Sequence, residues 1–271
     1  MFRLMLNAHP MLVAPPECGF VEWNFQRYEN AAFSDASVID AFVASVLASK
    51  KMETWGLSES RLKFHLQEAA LQNPALTYED ASKVVFQTYA EKLGKEMPKV
   101  ALDKNNYYLQ RLSILERATP NARFIHLVRD VRDVACSYLA LTQSNYDSPY
   151  APRLETEVGA IAKAWKENNE TLLDFLEGKD AIRVRYEDLV LHPREELGRI
   201  ADLLGVGYHD AMERYYEFND EPLTTVAWKQ KTFEPVDKDR IGQYKTTLTE
   251  AELAVVWDIA GGVMEQLGYH Q

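Results

Sequence analysis

Apolar residues recur every three or four positions through three successive stretches, DASVIDAFVASVLA (35–48), SESRLKFHLQEAALQ (58–72) and TYEDASKVVFQTYAEKLG (77–94). That spacing gathers them on one face of an α-helix. Ser58, Thr77 and Gly94 stand where helix caps belong. Residues from 34 to about 95 are therefore read as an all-helical lobe. Ahead of it, FRLMLNA (2–8) predicts a short helix, and the His9-Pro10 pair ends it, because proline disfavours helical geometry in the residue before it. A proline-containing loop then carries Glu17.

The pattern changes beyond the lobe. KVALDK (99–104), ARFIHLV (122–128) and AIRVRY (181–186) are short apolar runs bounded by polar breaks, as expected of strands in a parallel sheet. Helical patterns separate them: YLQRLSILERA (108–118), VRDVACSYLAL (131–141) and ETEVGAIAKAWKENNETLLDFLEG (155–178). Strands alternating with helices predict βαβ units, a mainly parallel sheet and an α/β fold. Such sheets bind ligands outside the carboxyl ends of their strands, which here are Lys104, Arg129 and Tyr186.

One of those ends is unusually charged. In FIHLVRDVRDVACSYL (124–139), Arg129 closes the strand and a helix opens near Val131, so a guanidinium stands beside unsatisfied helix N–H groups. Ser137 follows eight residues after Arg129, about two helical turns on, with its side chain tilted back toward the helix start. Asp130 and Asp133 suit a first helical turn and are positioned to orient Arg129 or Arg132. By spacing alone the junction reads equally as a helix start with charged caps.

Composition narrows the function. The 271 residues are 46% hydrophobic, enough for one α/β domain with a substantial core. Lys and Arg total 30 against 41 Asp and Glu, a net charge of -11, which argues against an extended nucleic-acid footprint but permits a local anion pocket. Cys18 and Cys136 form no metal-spaced or CxxC cluster, and neither is read as a nucleophile. His126, inside an apolar run, reads as a satisfied core histidine, and His9 as a helix-end contact that rivals Glu17 as a base. Trp55, Trp165 and Trp228 are open between core and pocket. No apolar run reaches the roughly 18–20 residues needed to span a bilayer, and the N-terminal stretch, interrupted by prolines, lacks a signal-peptide pattern. The expectations are a cytoplasmic protein with no membrane or nucleic-acid partner and no metal, with a homodimer left open.

These residues carry a resemblance. FIHLVRDVRDVACSYL resembles the 3'-phosphate-binding segment of sulfotransferases that use 3'-phosphoadenosine 5'-phosphosulfate (PAPS), and IRVRYEDLVLHPREELGRIADLLGV (182–206) resembles the same family's next motif, in matching order and separation. GKEMPKVALDKNNYYLQRL (94–112) is similar to the family's lysine-bearing strand end, and DRIGQYKTTLTEAELAVVWDIAGGVMEQLGY (239–269) to its closing loop and helix. FRLMLNAHPMLVAPPECGF (2–20) resembles the tyrosylprotein and bacterial members, in which a glutamate shortly after His-Pro is the general base.

The resemblance implies a single P-loop NTPase-like three-layer α/β domain with a helical insertion, PAPS as co-substrate, and a small-molecule, glycan or peptide hydroxyl (or amine) as acceptor. Glu17 would be the general base and Lys104 a cation on the leaving oxygens. Arg129 and Ser137 would hold the 3'-phosphate and Tyr186 the adenine. Lys238, Arg240 and Gly242 would form the loop that closes over the 3'-phosphate, although VDKDRIGQY (236–244) lacks the Arg-Lys-Gly tripeptide of the cytosolic enzymes. The family's Gly- and Ser/Thr-rich 5'-phosphosulfate loop would precede Phe2, so the resemblance implies a start inside a longer reading frame. The alternative reading is a non-catalytic or truncated nucleotide-binding remnant. A phosphoryl-transferring kinase is disfavoured because no GxxxxGK[ST] stretch occurs.

Overall fold

The computed structural model describes residues 1–96, 98–142, 150–151, 153–221 and 227–271, without the side chains of 227–229, so the Trp228 side chain lies outside the described residues. The chain divides into two compact units, Met1–Ala122 with His209–Asp220, and Arg123–Tyr208 with Glu221–Gln271.

The first unit holds the helical lobe. Its elements are α1 (Phe2–Asn7), β1 (Leu12–Val13), α2 (Phe20–Tyr28), α3 (Ala36–Leu47), α4 (Glu59–Gln72), α5 (Tyr78–Lys92), β2 (Val100–Ala101) and α6 (Leu112–Ala118). The cap residues act as their chemistry dictates. Ser58 accepts from the Arg61 N–H, and Thr77 and Asp80 form a reciprocal capping box at the start of α5. The apolar faces meet in one core, where Trp55 packs on Phe20, Phe86 and Tyr89, and Phe42 packs edge-on to Tyr28, Phe33 and Tyr78.

Three elements of this unit depart from the sequence pattern, the first being β1, which forms in the stretch read as a proline-containing loop. The lobe begins earlier than Ser34, because FVEWNFQRY forms α2. Its buried face includes Glu22 and Asn24, and those polar residues break the apolar repeat. Asn24 is accommodated by donating to the Phe20 carbonyl (2.9 Å) and Ser49 Oγ (3.2 Å). Likewise, the predicted helix over 108–118 breaks at Arg111, leaving a 3₁₀ segment (Asn106–Gln110) before α6.

The second unit contains β3 (Phe124–Val128), α7 (Val131–Thr142), α8 (Val158–Leu176), β4 (Ala181–Arg185), α9 (Tyr186–Leu191), α10 (Pro193–Leu204), α11 (Tyr244–Thr247) and α12 (Glu250–Gln266). Its core joins Val131, Ala135, Ile161, Ala162, Trp165, Val256 and Met264, with α8 packed along α12. Within β3, His126 is buried, and burial lowers its pKa; Nε2 meets Asn169 Oδ1 at 3.0 Å. Trp55 and Trp165 are both core residues.

The described strands form two parallel pairs. Leu12 and Val13 register with Val100 and Ala101 in the first unit, and Phe124–Val128 with Ala181–Arg185 in the second. Among the described residues no helix is long and apolar enough to cross a membrane.

The first pair is short, and side chains supplement it. Lys95 sends its ammonium to the carbonyls of Asn7, His9 (3.1 Å) and Leu12 (2.6 Å), which closes the end of α1 and the turn into β1. Replacing Lys95 by Met would strand these acceptors. We expect a loss of about 1–3 kcal/mol in denaturant-unfolding stability, and an unchanged midpoint would remove Lys95 from this role.

Candidate functional site

In the first unit, parallel pairing sends β1 and β2 out at the same edge, and the chain after each carries a charged side chain. Beyond Val13, the loop is fixed from α1: Arg3 Nη1 donates to the Ala14 carbonyl (2.7 Å), and the Ala14 N–H donates to Asn7 Oδ1 (2.9 Å). Trp55 Nε1 holds the Pro16 carbonyl at 2.8 Å. Asp220 locks the α1 side chains in turn, taking Arg3 at 2.9 Å, Asn7 Nδ2 at 3.1 Å and the Tyr89 hydroxyl.

Glu17 emerges from this scaffold, and Lys104 pairs with its Oε1. The structure thus brings together Lys104, which lies three residues beyond β2 rather than at its end, and Glu17, which the resemblance singles out. A third residue joins them: Lys51 Nζ lies 3.2 Å from Glu17 Oε2. Lys51 has φ 70°, the left-handed region that non-glycine residues rarely adopt. The pairing spans 34 residues, so no local sequence pattern announces it. The carboxylate is presented as an anion with a cation on each oxygen, an arrangement able to accept a proton or to hold charge on a transferring group.

Neighbouring groups sort into helpers and bystanders. Asp103, beside Lys104, accepts from the Tyr108 hydroxyl. Its carboxyl is pushed up to about 7, first by the atoms packed around it and also by the Glu17 charge, although the residue as a whole reaches solvent. Burial pushes the Cys18 thiol up to about 12, which leaves it protonated at neutral pH and a poor nucleophile. His9 is buried, accepts the Met11 N–H at Nδ1 (3.0 Å) and packs edge-on to His209, which suits a turn contact.

In the second unit, register places Val128 opposite Arg185, so the next residues, Arg129 and Tyr186, leave the same edge side by side. The Arg129 guanidinium lies 4.5 Å from the Tyr186 ring centroid. Tyr186 opens α9 rather than ending the strand, and burial raises its hydroxyl pKa. Arg129 Nη2 donates to the Arg240 carbonyl (2.8 Å), and Trp165 Nε1 donates to the Arg129 carbonyl (3.0 Å). Arg129 Nε is buried with no hydrogen-bond partner among the described residues.

The loop around Arg240 is tied down by α7. Asp133, 1% exposed, accepts the Gly242 N–H at 2.7 Å and the Tyr244 N–H at 3.2 Å. Gly242 adopts φ 76°, which a glycine accommodates without strain. The sequence expectation that both aspartates orient arginines holds for Asp130, which clasps Arg132 through two nitrogens (3.0 and 2.7 Å). Arg132 in turn lies 4.1 Å over the Tyr244 ring. Asp133 instead anchors the loop, a long-range contact that a local reading could not supply. Glu187 completes the network, accepting the Asp130 N–H and the Tyr269 hydroxyl (2.9 and 2.8 Å).

Arg129, Tyr186, Arg240 and Gly242 therefore form one cluster. Ser137 sits half-buried two turns into α7, and Lys238 is exposed at the start of the turn Lys238–Arg240. No group of three or more His, Cys, Asp or Glu residues able to hold a metal occurs among the described residues.

A model of the sulfotransferase family matches residues 1–210. Protein-tyrosine sulfotransferase of Drosophila melanogaster is 28% identical over 220 residues, covering 77% of this chain and 42% of that protein. Protein-tyrosine sulfotransferase 1 of Danio rerio is 28% identical over 221 residues, covering 80% and 52%. The chain spans about half the length of the curated relatives it matches. Among solved structures, the sulfotransferase domain from the curacin biosynthetic pathway superposes with a TM-score of 0.59 at 19% identity, over 99% of this chain and 93% of that one. The sulfotransferase domain of the Synechococcus PCC 7002 olefin synthase superposes with 0.59 at 22% identity, over 100% and 90%. These two superpositions establish a shared P-loop-like α/β fold, and with the family model matched across most of the sequence, this chain belongs to the sulfotransferase family.

Proposed function

We propose that the protein transfers the sulfuryl group of PAPS to a hydroxyl acceptor, with Glu17 as the general base. The observation that carries the donor half is the Arg129 guanidinium, stacked on Tyr186, enclosed by the Arg240–Tyr244 loop and left with a buried donor that no described residue satisfies. Buried donors without partners are uncommon in folded proteins, and an anion's oxygen supplies the missing acceptor. The residues present thus fit the 3'-phosphate and adenine of PAPS, with Arg129 and Ser137 on the phosphate, Tyr186 on the base, and Lys238, Arg240 and Gly242 in the loop over it.

When bound, PAPS supplies an activated sulfuryl group on a phosphate leaving group. Glu17 takes the acceptor's hydroxyl proton as the acceptor oxygen bonds to sulfur. The bond from sulfur to the 5'-phosphate oxygen breaks, and adenosine 3',5'-bisphosphate departs. Lys104 holds charge on the leaving oxygens, and its pairing with Glu17 supports this reading by keeping the cation next to the base. Lys51 keeps the carboxylate oriented when Lys104 turns to the donor. The relatives are named for protein tyrosine as acceptor; a tyrosyl hydroxyl therefore stands beside small-molecule and glycan hydroxyls as an acceptor class. The two compact units are read as one catalytic domain, supported by a family match that runs through both.

Two predictions separate base from donor grip. Glu17→Gln should lower kcat by about 10²- to 10⁴-fold while the calorimetric Kd for adenosine 3',5'-bisphosphate stays unchanged. Arg129→Ala should raise that Kd by about 10- to 100-fold; an unaltered Kd would refute the donor assignment. Donor binding that depends on Arg129 without transfer to any acceptor would favour the non-catalytic reading.

A further prediction concerns the loop. Asp133→Ala removes the acceptor of two loop amides and should weaken adenosine 3',5'-bisphosphate binding by about tenfold, with Asp133→Asn intermediate because one amide keeps its partner. Equal affinity in all three proteins would show that the loop closes without Asp133.

A further inference from the structure

The first unit carries a solvent-open pocket of about 410 Å³ between α2 and the 3₁₀ segment Asn106–Gln110. This volume falls in the range of small-molecule sites, roughly 300–1,000 Å³. Trp23 and Tyr107 pack on each other, ring centroids 5.3 Å apart and inclined at 50°, and form one aromatic wall. Glu22, Gln26, Asn106, Gln110 and Arg111 supply the polar lining. Glu22 is 6% exposed, and its carboxylate lies 3.4 Å from the Arg111 guanidinium.

Two contacts join this cavity to the proposed base. Lys51, which pairs with Glu17, also lies 5.6 Å from the Tyr107 ring centroid. The Trp23 indole packs against the backbone at Gly19, two residues after Glu17, so closely that a Cβ there would fall 2.7 Å from the ring. Gly19 therefore lets the aromatic wall reach the segment that carries the base.

We infer that this cavity is the acceptor subsite and that it receives a neutral, polyhydroxylated ring of the sugar class, an inference that rests on the sulfuryl-transfer reading above. The exposed aromatic wall takes a C–H face of such a ring, while carboxylate, guanidinium and amides meet hydroxyls that both donate and accept. A tyrosyl ring brings a single hydroxyl and would match few of these polar groups, whereas the hydroxyls of a sugar ring can meet the buried Glu22 carboxylate and the exposed Gln26, Gln110 and Arg111 together. The Glu22–Arg111 pairing balances charge within the lining, so a strongly charged ligand gains no net attraction there.

The test is saturation-transfer NMR and calorimetry on the full chain with cellobiose, maltose, lactose and N,N'-diacetylchitobiose, beside N-acetyltyrosinamide. Binding of at least one disaccharide is expected, weakened about tenfold or more in both Trp23→Ala and Gln26→Ala. Circular dichroism and adenosine 3',5'-bisphosphate affinity report whether each variant is folded; should Trp23→Ala fail to fold, Trp23→Phe and Gln26→Ala carry the comparison. Binding of none of the four sugars, binding indifferent to both substitutions, or N-acetyltyrosinamide binding in their place would overturn the assignment. If a disaccharide binds while adenosine 3',5'-bisphosphate does not, the cavity stands and the donor reading falls.

Discussion

Parallel strand pairing is the constraint on which both clusters depend. Neighbouring parallel strands leave their pair from the same edge, so whatever follows each strand is delivered to one place without a further folding device. In the first unit this brings the loop after Val13 and the residues after Ala101 together, with Glu17 and Lys104 at their ends. In the second it sets Arg129 beside Tyr186 directly beyond the registered pair Val128 and Arg185. Chemistry in each unit is thus assembled by backbone hydrogen bonding, and side chains refine it.

The refinement differs between the units. The β1–β2 pair is only two residues long on each strand, and polar side chains do much of the fixing: Arg3 and Asn7, one turn apart on α1, hold both backbone groups of Ala14, and Lys95 gathers carbonyls from the preceding turn. The five-residue β3–β4 pair needs less help. There, buried acids act at longer range, with Asp133 taking amides from a loop more than a hundred residues away and Glu187 bridging α7 to the C-terminal Tyr269.

Much of this was legible in the sequence wherever a property is local. Apolar period and cap chemistry revealed α3, α4 and α5, and strand ends marked Lys104, Arg129 and Tyr186. Glu17 came from resemblance, since a loop carboxylate has no periodic signal. What stayed hidden has physical reasons. Helix α2 buries Glu22 and Asn24 and so mimics a loop in its pattern, and β1 is too short to show alternation. Lys51 and Asp133 act on partners distant in sequence, and only folding brings them there.

Trp165 is both a core residue, packed among α7, α8 and α12, and the donor that holds the Arg129 carbonyl. The height at which the arginine stands is therefore set from inside the core. Heat tolerance and the placement of that guanidinium share one indole, so a programme that hardened this protein by repacking around α8 would be moving Arg129 at the same time, and stabilising changes are better sought on faces remote from that ring.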